Sequence, residues 1–509
     1  MFPNAKNCGI GGMTSLSSPI ASRLRLDVEA LLPALLLPIF ICLLGPWWSV
    51  YQFHINEGIN LSKAALVANG YHLYDQIWND QPPVLTLILA AAHFIFPYNV
   101  AVARAIILAS ASLLLWSSFR IVRRSEGSLA AWAATLALGT SPLILIFSVS
   151  VMIDLPAIAL AVSAIDQAMV AALEQKRSRY LLAGVLFGVS LQIKMFTALM
   201  VPSLICAVLF ISNVPGRANH SRTRDVAITV GAALITFLAF AIVMREPLLA
   251  QLFVPHLMTT QRAVQYYSEY HGLIYFGRLL IGEPVLLALG TAGVIVVLSQ
   301  PRNLYGCRLI PFLWLCISLI TYSIHRPVFP HHLPMALIPL AWLGGSAVHI
   351  GTRWVGTVLA NDLRRNSLTS SLFVILIAIG IWRAPSFRNV VIPENPIAAA
   401  MAKFKSNPSD EQWVVTDLGM DAYRAGVLVP PELAVYSSKR WISGYLPPEL
   451  IISVIQDRRP SQIMFNWLPL DPKVKQFLDS SSYVRMIWST HPHYIRSDLV
   501  PSQFGALER

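Results

Sequence analysis

Residues 52–83 read QFHINEGINLSKAALVANGYHLYDQIWNDQPP, the one long polar interval in the first half of a chain otherwise made of membrane-length apolar runs. It carries Glu57, Asp75 and Asp80. The run before it, Ala30 to Tyr51, is long enough to cross a bilayer, and Arg23 and Arg25 precede that run. Basic flanks stay in the cytoplasm, so the polar interval is expected on the outer face, where Glu57 and Asp80 are positioned for general-base chemistry. The run exceeds a signal-peptide core and lacks a small-residue cleavage site, so it reads as a retained first helix.

Composition narrows the class. With 55% hydrophobic and only 13% charged residues over 509 positions, and a mean hydropathy of +0.58, the surface of this chain must face lipid. The net charge of +12 falls in short loops between apolar runs, without the aromatic interleaving of a nucleic-acid site, so nucleic acid is excluded as a partner. Cys42, Cys206, Cys307 and Cys316 lie in or beside apolar runs and Cys8 lies in the N-terminal tail, which makes neither a disulfide framework nor a CxxC metal motif.

Ten further apolar runs follow: Val100 to Ile121, Leu129 to Phe147, Ile153 to Leu173, Leu181 to Ile193, Met195 to Ile211, Val226 to Met244, Leu279 to Leu298, Ile310 to Ile324, Leu333 to Ile350 and Leu368 to Ile381. Loops rich in Lys and Arg at 120–127, 174–179, 216–224, 301–308 and 352–365 all fall on one side if about eleven helices alternate. That side is the cytoplasm, with the N-terminal tail 1–29, and the chain ends outside. The short run Val84 to Phe96, after Pro82-Pro83, reads as an interfacial helix in an outer loop spanning 52–98. From residue 384 to 509 the composition shifts toward Asp, Lys and Pro. Strand-like QWVVTD and QIMFNW alternate there with helix-like PPELIISVIQDRR and PKVKQFLDSS. The expected architecture is a multi-pass α-helical membrane module, 30–383, followed by a small extracytoplasmic α/β domain in which no catalytic constellation is visible.

Ionisable groups near lipid are retained for a pathway, a pair or a site. Asp154 opens a helix in SVSVMIDLPAIAL at the outer end, where capping with Pro156 in the first turn competes with a substrate role. Lys194 interrupts LLAGVLFGVSLQIKMFTALMVPSL and suits a phosphate head group, with snorkelling as the alternative. The loop from Glu246 to Gly272 offers Arg262, Tyr266, Tyr267, Glu269 and His271. The loop SIHRPVFPHHLP offers His325, Arg326, His331 and His332. Adjacent histidines diverge on regular backbone and no acidic residue is near in sequence, so this loop is expected to form an anion-binding rim rather than a metal set. A divalent metal stays open as a cofactor.

This order of features resembles the GT-C membrane glycosyltransferases, and within them the bacterial branch of protein O-mannosyltransferases and lipid A aminoarabinose transferase. The features are an acidic residue heading the first outer loop, a later Pro-Pro, an interfacial helix, Arg104 opening the next span, an Asp-x-Pro at Asp154, and Lys194 after a Gly-rich helix. The similarity covers nearly all of residues 30 to 383. It is strongest in INEGINLSKAALVANGYHLYDQIWNDQPP and MIDLPAIAL. The family's Asp-Glu is here Asn56-Glu57, and its acidic-Lys-Pro-Pro is here Asp80-Gln81-Pro82-Pro83. The resemblance implies a transferase moving a sugar from a polyprenyl-phosphate donor to a hydroxyl of a lipid, glycan or protein acceptor at a bacterial inner membrane, with inversion at the anomeric carbon. It places Glu57, Asp80 and Asp154 at the acidic positions. Transfer of this kind needs a base for the acceptor hydroxyl and cations for the leaving phosphate. Glu57, Asp154 and Asp80 are the expected catalytic groups, Lys194, Arg326 and Arg262 the phosphate ligands, and His331, His332 and Tyr267 further substrate contacts. The rival class is a polytopic lipid or solute transporter. It is disfavoured because polar residues gather at one membrane face and no inverted repeat is apparent.

Overall fold

The computed structural model describes residues 19–210, 219–266, 272–299, 306–358, most of 371–387, a few of 398–402, 413–466, 470–486 and 492–500. The first helix, α1, runs Pro19–Leu44 and ends where Gly45-Pro46 removes the next helical conformation, so the segment up to Tyr51 is loop rather than span. The polar interval itself is largely helical. Asn56–Ala68 forms α2, whose Leu61, Ala64, Ala65 and Leu66 are buried, and α3 follows at Val84–Ile95. Phe94, Ile95 and Phe96 are exposed at the end of α3, the apolar surface an interfacial helix presents.

The bundle continues with α4 (Val100–Glu126), α5 (Ser128–Gly139), α6 (Pro142–Val149), α7 (Asp154–Glu174), α8 (Arg177–Leu191), α9 (Val201–Phe210) and α10 (Asn219–Val243). After it come α11 (Val254–Tyr266), α12 (Gly272–Ile281), α13 (Pro284–Ser299), α14 (Leu309–Ile324) and α15 (Pro334–Val358). Four of the described helices, in α4, α7, α10 and α15, are long and apolar enough to cross a membrane. There are up to six if the bent pairs α5–α6 (68°) and α12–α13 (112°) each count as one. Among the described residues, the runs beginning at Ala30, Met195 and Ile310 appear as apolar helices of 10–17 residues, and Leu181 to Ile193 lies largely in α8. The chain is thus an integral membrane protein by its helices.

At the centre lies α7, whose apolar window is 94% buried and built largely from alanine, so α4, α8 and α9 approach closely. Glycine does the same between α8 and α10. A Cβ on Gly184 would lie 2.3 Å from the Thr229 carbonyl oxygen, and one on Gly188 2.6 Å from that of Ala233. Leucines and isoleucines on one side of α1 and α10, Leu35, Ile39, Leu43, Ile235 and Ile242 among them, are exposed, which makes a lipid-facing surface.

Residues 413–500 form a small α/β unit. Strands β1 (Val414–Thr416), β2 (Gln462–Met464), β3 (Tyr483–Arg485) and β4 (His493–Arg496) order as β1-β2-β4-β3, with β1 parallel to β2 and the other pairs antiparallel. The helices Pro448–Arg458 and Pro472–Asp479 pack Val454, Ile455, Val474 and Leu478 against Val415, Ile463 and Tyr494. A third helix, Gly419–Ala425, docks on α2 so tightly that a Cβ on Gly58 would stand 2.1 Å from the Met420 nitrogen. Arg424 adds bonds to the carbonyls of Val50 (2.8 Å) and Tyr51 (2.9 Å), and Tyr51 donates to Asp421. The unit is seated directly on the loop that precedes α2.

Candidate active site at the Asp154 end of the bundle

Glu57 sits in the first turn of α2, fully buried. Its Oε1 accepts from Arg104 Nε (3.1 Å) and the Val151 backbone N–H (2.9 Å); its Oε2 accepts from Arg104 Nη2 (3.0 Å) and the Phe53 N–H (2.7 Å). Arg104 spends Nη1 on the carbonyls of Trp47 (2.9 Å) and Val50 (2.7 Å). A carboxylate has about four acceptor positions, and here all are used. Glu57 therefore ties α2, α4 and the α6–α7 connection together. The role of general base expected from sequence conflicts with this geometry, because no lone pair is left to take a proton.

Asp154 is the first residue of α7 and is 5% exposed. One carboxylate oxygen pairs with the Lys194 ammonium, while the other is buried without a partner. Lys194 reaches it from the extended residue that ends the α8 hairpin, its ammonium 5.8 Å over the Phe196 ring. His331 and His332, in a single 3₁₀ turn between α14 and α15, complete the group. Ligand atoms of Asp154, His331 and His332 lie within 4.8 Å of one another. The rings of His331 and His332 are 4.5 Å apart at 77°, and His54 stands 5.4 Å from His331. Phe196 stacks on His332 and Phe329 on His331, which fixes both rings. Burial, and then the neighbouring cations and histidines, push both imidazoles well below their ordinary value, so they are neutral at pH 7. A carboxylate and two neutral imidazoles are a donor set for a divalent ion. The sequence reading set a metal aside for want of a nearby acidic residue, and the structure stands Asp154 beside the two histidines. The acidic partner comes from a distant part of the chain, and the 3₁₀ turn brings the paired rings together. Lys194 already balances Asp154, so an ion would compete with it.

Beside this group lies a second one. Asp80, 7% exposed, accepts from Lys439 Nζ at 2.7 Å, and the same ammonium contacts His256 of α11. Burial works to raise the Asp80 carboxyl, but Lys439, His256 and Lys63 hold it well below the usual carboxylate range. Burial, then the Lys439 charge, pushes His256 down to about 3, and burial, then Lys439 and Lys194, puts His325 at about 4. The His325 ring lies 5.6 Å from that of His332 in the first group. Lys439 comes from the C-terminal unit, in the short helix Ser438–Ile442, where the sequence showed no constellation. Lys63, His54 and His256 were also missed. The only local signal was polar residues at apolar-spaced positions, such as Lys63 within LSKAALVA.

The remaining expected residues divide. Arg326 is half-buried in the histidine loop and forms no ion pair with another described residue. Arg262 is exposed and donates to the Ile442 carbonyl (3.3 Å), so it docks against the C-terminal unit. Tyr267 lies outside the described residues.

A family model described as dolichyl-phosphate-mannose-protein mannosyltransferase matches residues 80–244. Comparison with curated proteins gives no match. Among solved structures, the chain is similar to ArnT from Cupriavidus metallidurans bound to undecaprenyl phosphate, with 14% identity, a TM-score of 0.62, and 95% of this chain and 99% of that one covered. Its apo state gives 13% identity, a TM-score of 0.61, and coverage of 92% and 99%. In fold the chain is a GT-C protein, similar to the membrane glycosyltransferases of that type.

Proposed function

We propose that this chain transfers a sugar from a polyprenyl-phosphate donor to an acceptor hydroxyl at the outer face of a bacterial inner membrane, the C-terminal unit lying outside and the N-terminus in the cytoplasm. The observation that carries the reading is the unpartnered buried oxygen of Asp154 beside Lys194 and two neutral histidines. The match over residues 80–244 and the fold shared with a protein that binds undecaprenyl phosphate support the choice of donor.

In this mechanism Asp154 takes the proton of the acceptor hydroxyl as the hydroxyl oxygen bonds to the anomeric carbon. The bond from that carbon to phosphate breaks, and polyprenyl phosphate leaves with its electron pair. Inversion follows from a single displacement. Lys194, released from Asp154 as that group is protonated, and Arg326 receive the phosphate charge. His332, whose Nδ1 accepts from the Phe329 N–H at 3.3 Å, orients a sugar hydroxyl by donating from Nε2, and His331 offers one donor and one acceptor nitrogen. Glu57 holds the frame rather than the proton, and the acceptor is a hydroxyl of a lipid, a glycan or a protein.

The test is incubation of purified protein with radiolabelled polyprenyl-phosphate sugars. Label should move to acceptor or water with wild type and not with Asp154→Asn. If no label leaves the lipid with any donor while sealed vesicles take it up, the chain is a transporter and the reading fails.

A further inference from the structure

Away from Asp154, two helix breaks meet at one cavity. The α5–α6 break at Thr140-Ser141 and the α12–α13 break at Gly282-Glu283 face the last turn of the helix Val374–Arg383 across about 230 Å³ of partly open space. The charged groups in its lining are one carboxylate and one guanidinium, those of Glu283 and Arg383. Glu283 is buried. The Leu143 N–H donates to its Oε1 at 3.0 Å and the Ser141 hydroxyl stands beside it, which leaves acceptor positions of the carboxylate free. Arg383 donates from Nη2 to the Gly282 carbonyl at 2.7 Å, while its Nε is buried without a partner. Among the described residues the two charges form no ion pair, although they line the same space. Opposite charges held apart inside a membrane bundle are costly unless something answers both.

Neighbouring residues set the level of the cavity. The Phe387 N–H donates to the Leu44 carbonyl at 3.2 Å, which brings the end of the helix Val374–Arg383 beside the end of α1. Trp382 is 81% exposed there, and Trp48 just past α1 is exposed too. Tryptophans at exposed helix ends mark the membrane–water interface. Val374, Ile375 and Ile381 are exposed on the same helix, so lipid lies against its outside. Gly380 closes it onto the α5–α6 break, since a Cβ there would lie 2.4 Å from Thr140 Cβ. The cavity thus sits just inside a lipid-facing helix, at the level of lipid head groups.

We propose that this cavity binds the phosphoethanolamine head group of a bilayer phospholipid, with its phosphate on Arg383 and its primary ammonium on Glu283. The free Nε offers a charge-assisted donor to a phosphate oxygen, and Glu283 accepts from an N–H, which a trimethylammonium lacks. A head group without an amine would leave Glu283 unanswered. The helix α6, ~12 Å long, stands between this cavity and the connection to Asp154, so the site does not rest on the function proposed above.

Native mass spectrometry of the full-length protein in detergent, titrated with dioleoyl phosphatidylethanolamine, phosphatidylcholine or phosphatidylglycerol, reads the first bound lipid. Phosphatidylethanolamine should bind ~10-fold or more tightly than either of the others, the margin of a charge-assisted bond. Arg383→Met should lower affinity for all three ~10-fold, and Arg383→Lys should stay within ~3-fold. Glu283→Gln should erase the preference and leave phosphatidylglycerol binding unchanged. Equal binding of the three lipids by wild type, or a preference that survives Glu283→Gln, overturns the site. A preference for phosphatidylglycerol that Arg383→Met removes and Glu283→Gln does not assigns the cavity to an anionic head group and overturns the proposal. Should Glu283→Gln fail to fold, Arg383→Met decides alone, since it leaves the Leu143 bond to Glu283 in place. Unchanged phosphatidylethanolamine affinity in that variant overturns the proposal.

Discussion

Helix α7 carries two buried aspartates about three turns, ~18 Å, apart, and they are treated in opposite ways. Asp166, toward the Arg120 end, accepts from Arg124 at Oδ1 and pairs with Arg120 at 3.2 Å, while Gln167 donates to Oδ2 at 3.2 Å. Asp154, at the other end, has one lysine and one orphan oxygen. The Arg120 end repeats the first pattern at Glu126, gripped by Arg308 at 2.6 and 2.8 Å and by Ser346 at 2.9 Å. Arginine forks saturate carboxylates and make staples, whereas a single ammonium beside imidazoles leaves an acceptor free for chemistry. If the proposed function holds, the contrast separates structural charge from functional charge inside one protein, and Glu57, although at the Asp154 end, bonds as the staples do.

Exchanging the two aspartates for asparagine breaks the comparison most directly. Asp154→Asn should lower transfer ~100-fold or more, the loss expected of a removed general base, with a smaller loss of thermal stability than Asp166→Asn, since one ammonium rather than two guanidiniums loses its counter-charge. Asp166→Asn should leave turnover per folded molecule nearly unchanged but destabilise by ~3 kcal/mol or more, because two buried guanidiniums lose their counter-charge. Turnover and melting temperature on both variants decide it. If Asp166→Asn also abolishes transfer at unchanged stability, the staple reading is wrong.

Glu57→Gln sharpens the same contrast at one end of the molecule. Arg104 would keep its two carbonyls but lose a bidentate carboxylate in full burial, a cost of about 3–5 kcal/mol. Low yield and a lowered melting temperature are expected, with the folded fraction transferring within ~10-fold of wild type. A stable Glu57→Gln protein that is inert in transfer would restore Glu57 as the base.

How much of this was legible follows from what is local. The helical runs and the strand-like QWVVTD and QIMFNW were readable, because apolar periodicity is written in consecutive residues; β1 and β2 fall inside those two stretches. The helix α2 was hidden by its polar residues. Glu57, Asn60 and Lys63 look like loop chemistry until tertiary partners bury them. Asp154, Lys194 and the histidines were each visible as candidates, but their assembly was not. It depends on the hairpin after α8 and the turn before α15 meeting at the start of α7. Lys439 was illegible for the same reason, since its meaning comes from Asp80 far away in the chain.

Lys194→Ala tests the open carboxylate from its other side. Donor affinity should fall ~10-fold through loss of a charge-assisted contact. With the ammonium gone, Asp154, His331 and His332 are a cation site without a competitor, so added Zn²⁺ should bind the variant more tightly than wild type. Calorimetry with donor and with Zn²⁺ reads both. Unchanged Zn²⁺ affinity would mean that the three groups do not converge as described.

The smallest effect is in the pH dependence of stability. His256 has its pKa lowered to about 3 in the folded chain, against an ordinary value near 6.5, so the unfolded chain binds more protons between those values. Stability contributed by the neutral imidazole is therefore present above pH ~6.5 and is lost progressively as pH falls toward 3. Glu246, raised by burial to about 7, and Asp421, raised by burial to about 6, act in the opposite sense, losing stability as pH rises from about 4 to 7. The whole-protein curve mixes these, but the difference between wild type and His256→Gln does not. Melting temperatures from pH 7 down to pH 4 should fall more steeply for wild type than for the variant, by the slope of up to one proton. Parallel curves would show that His256 titrates normally, and that Lys439 is not held against it.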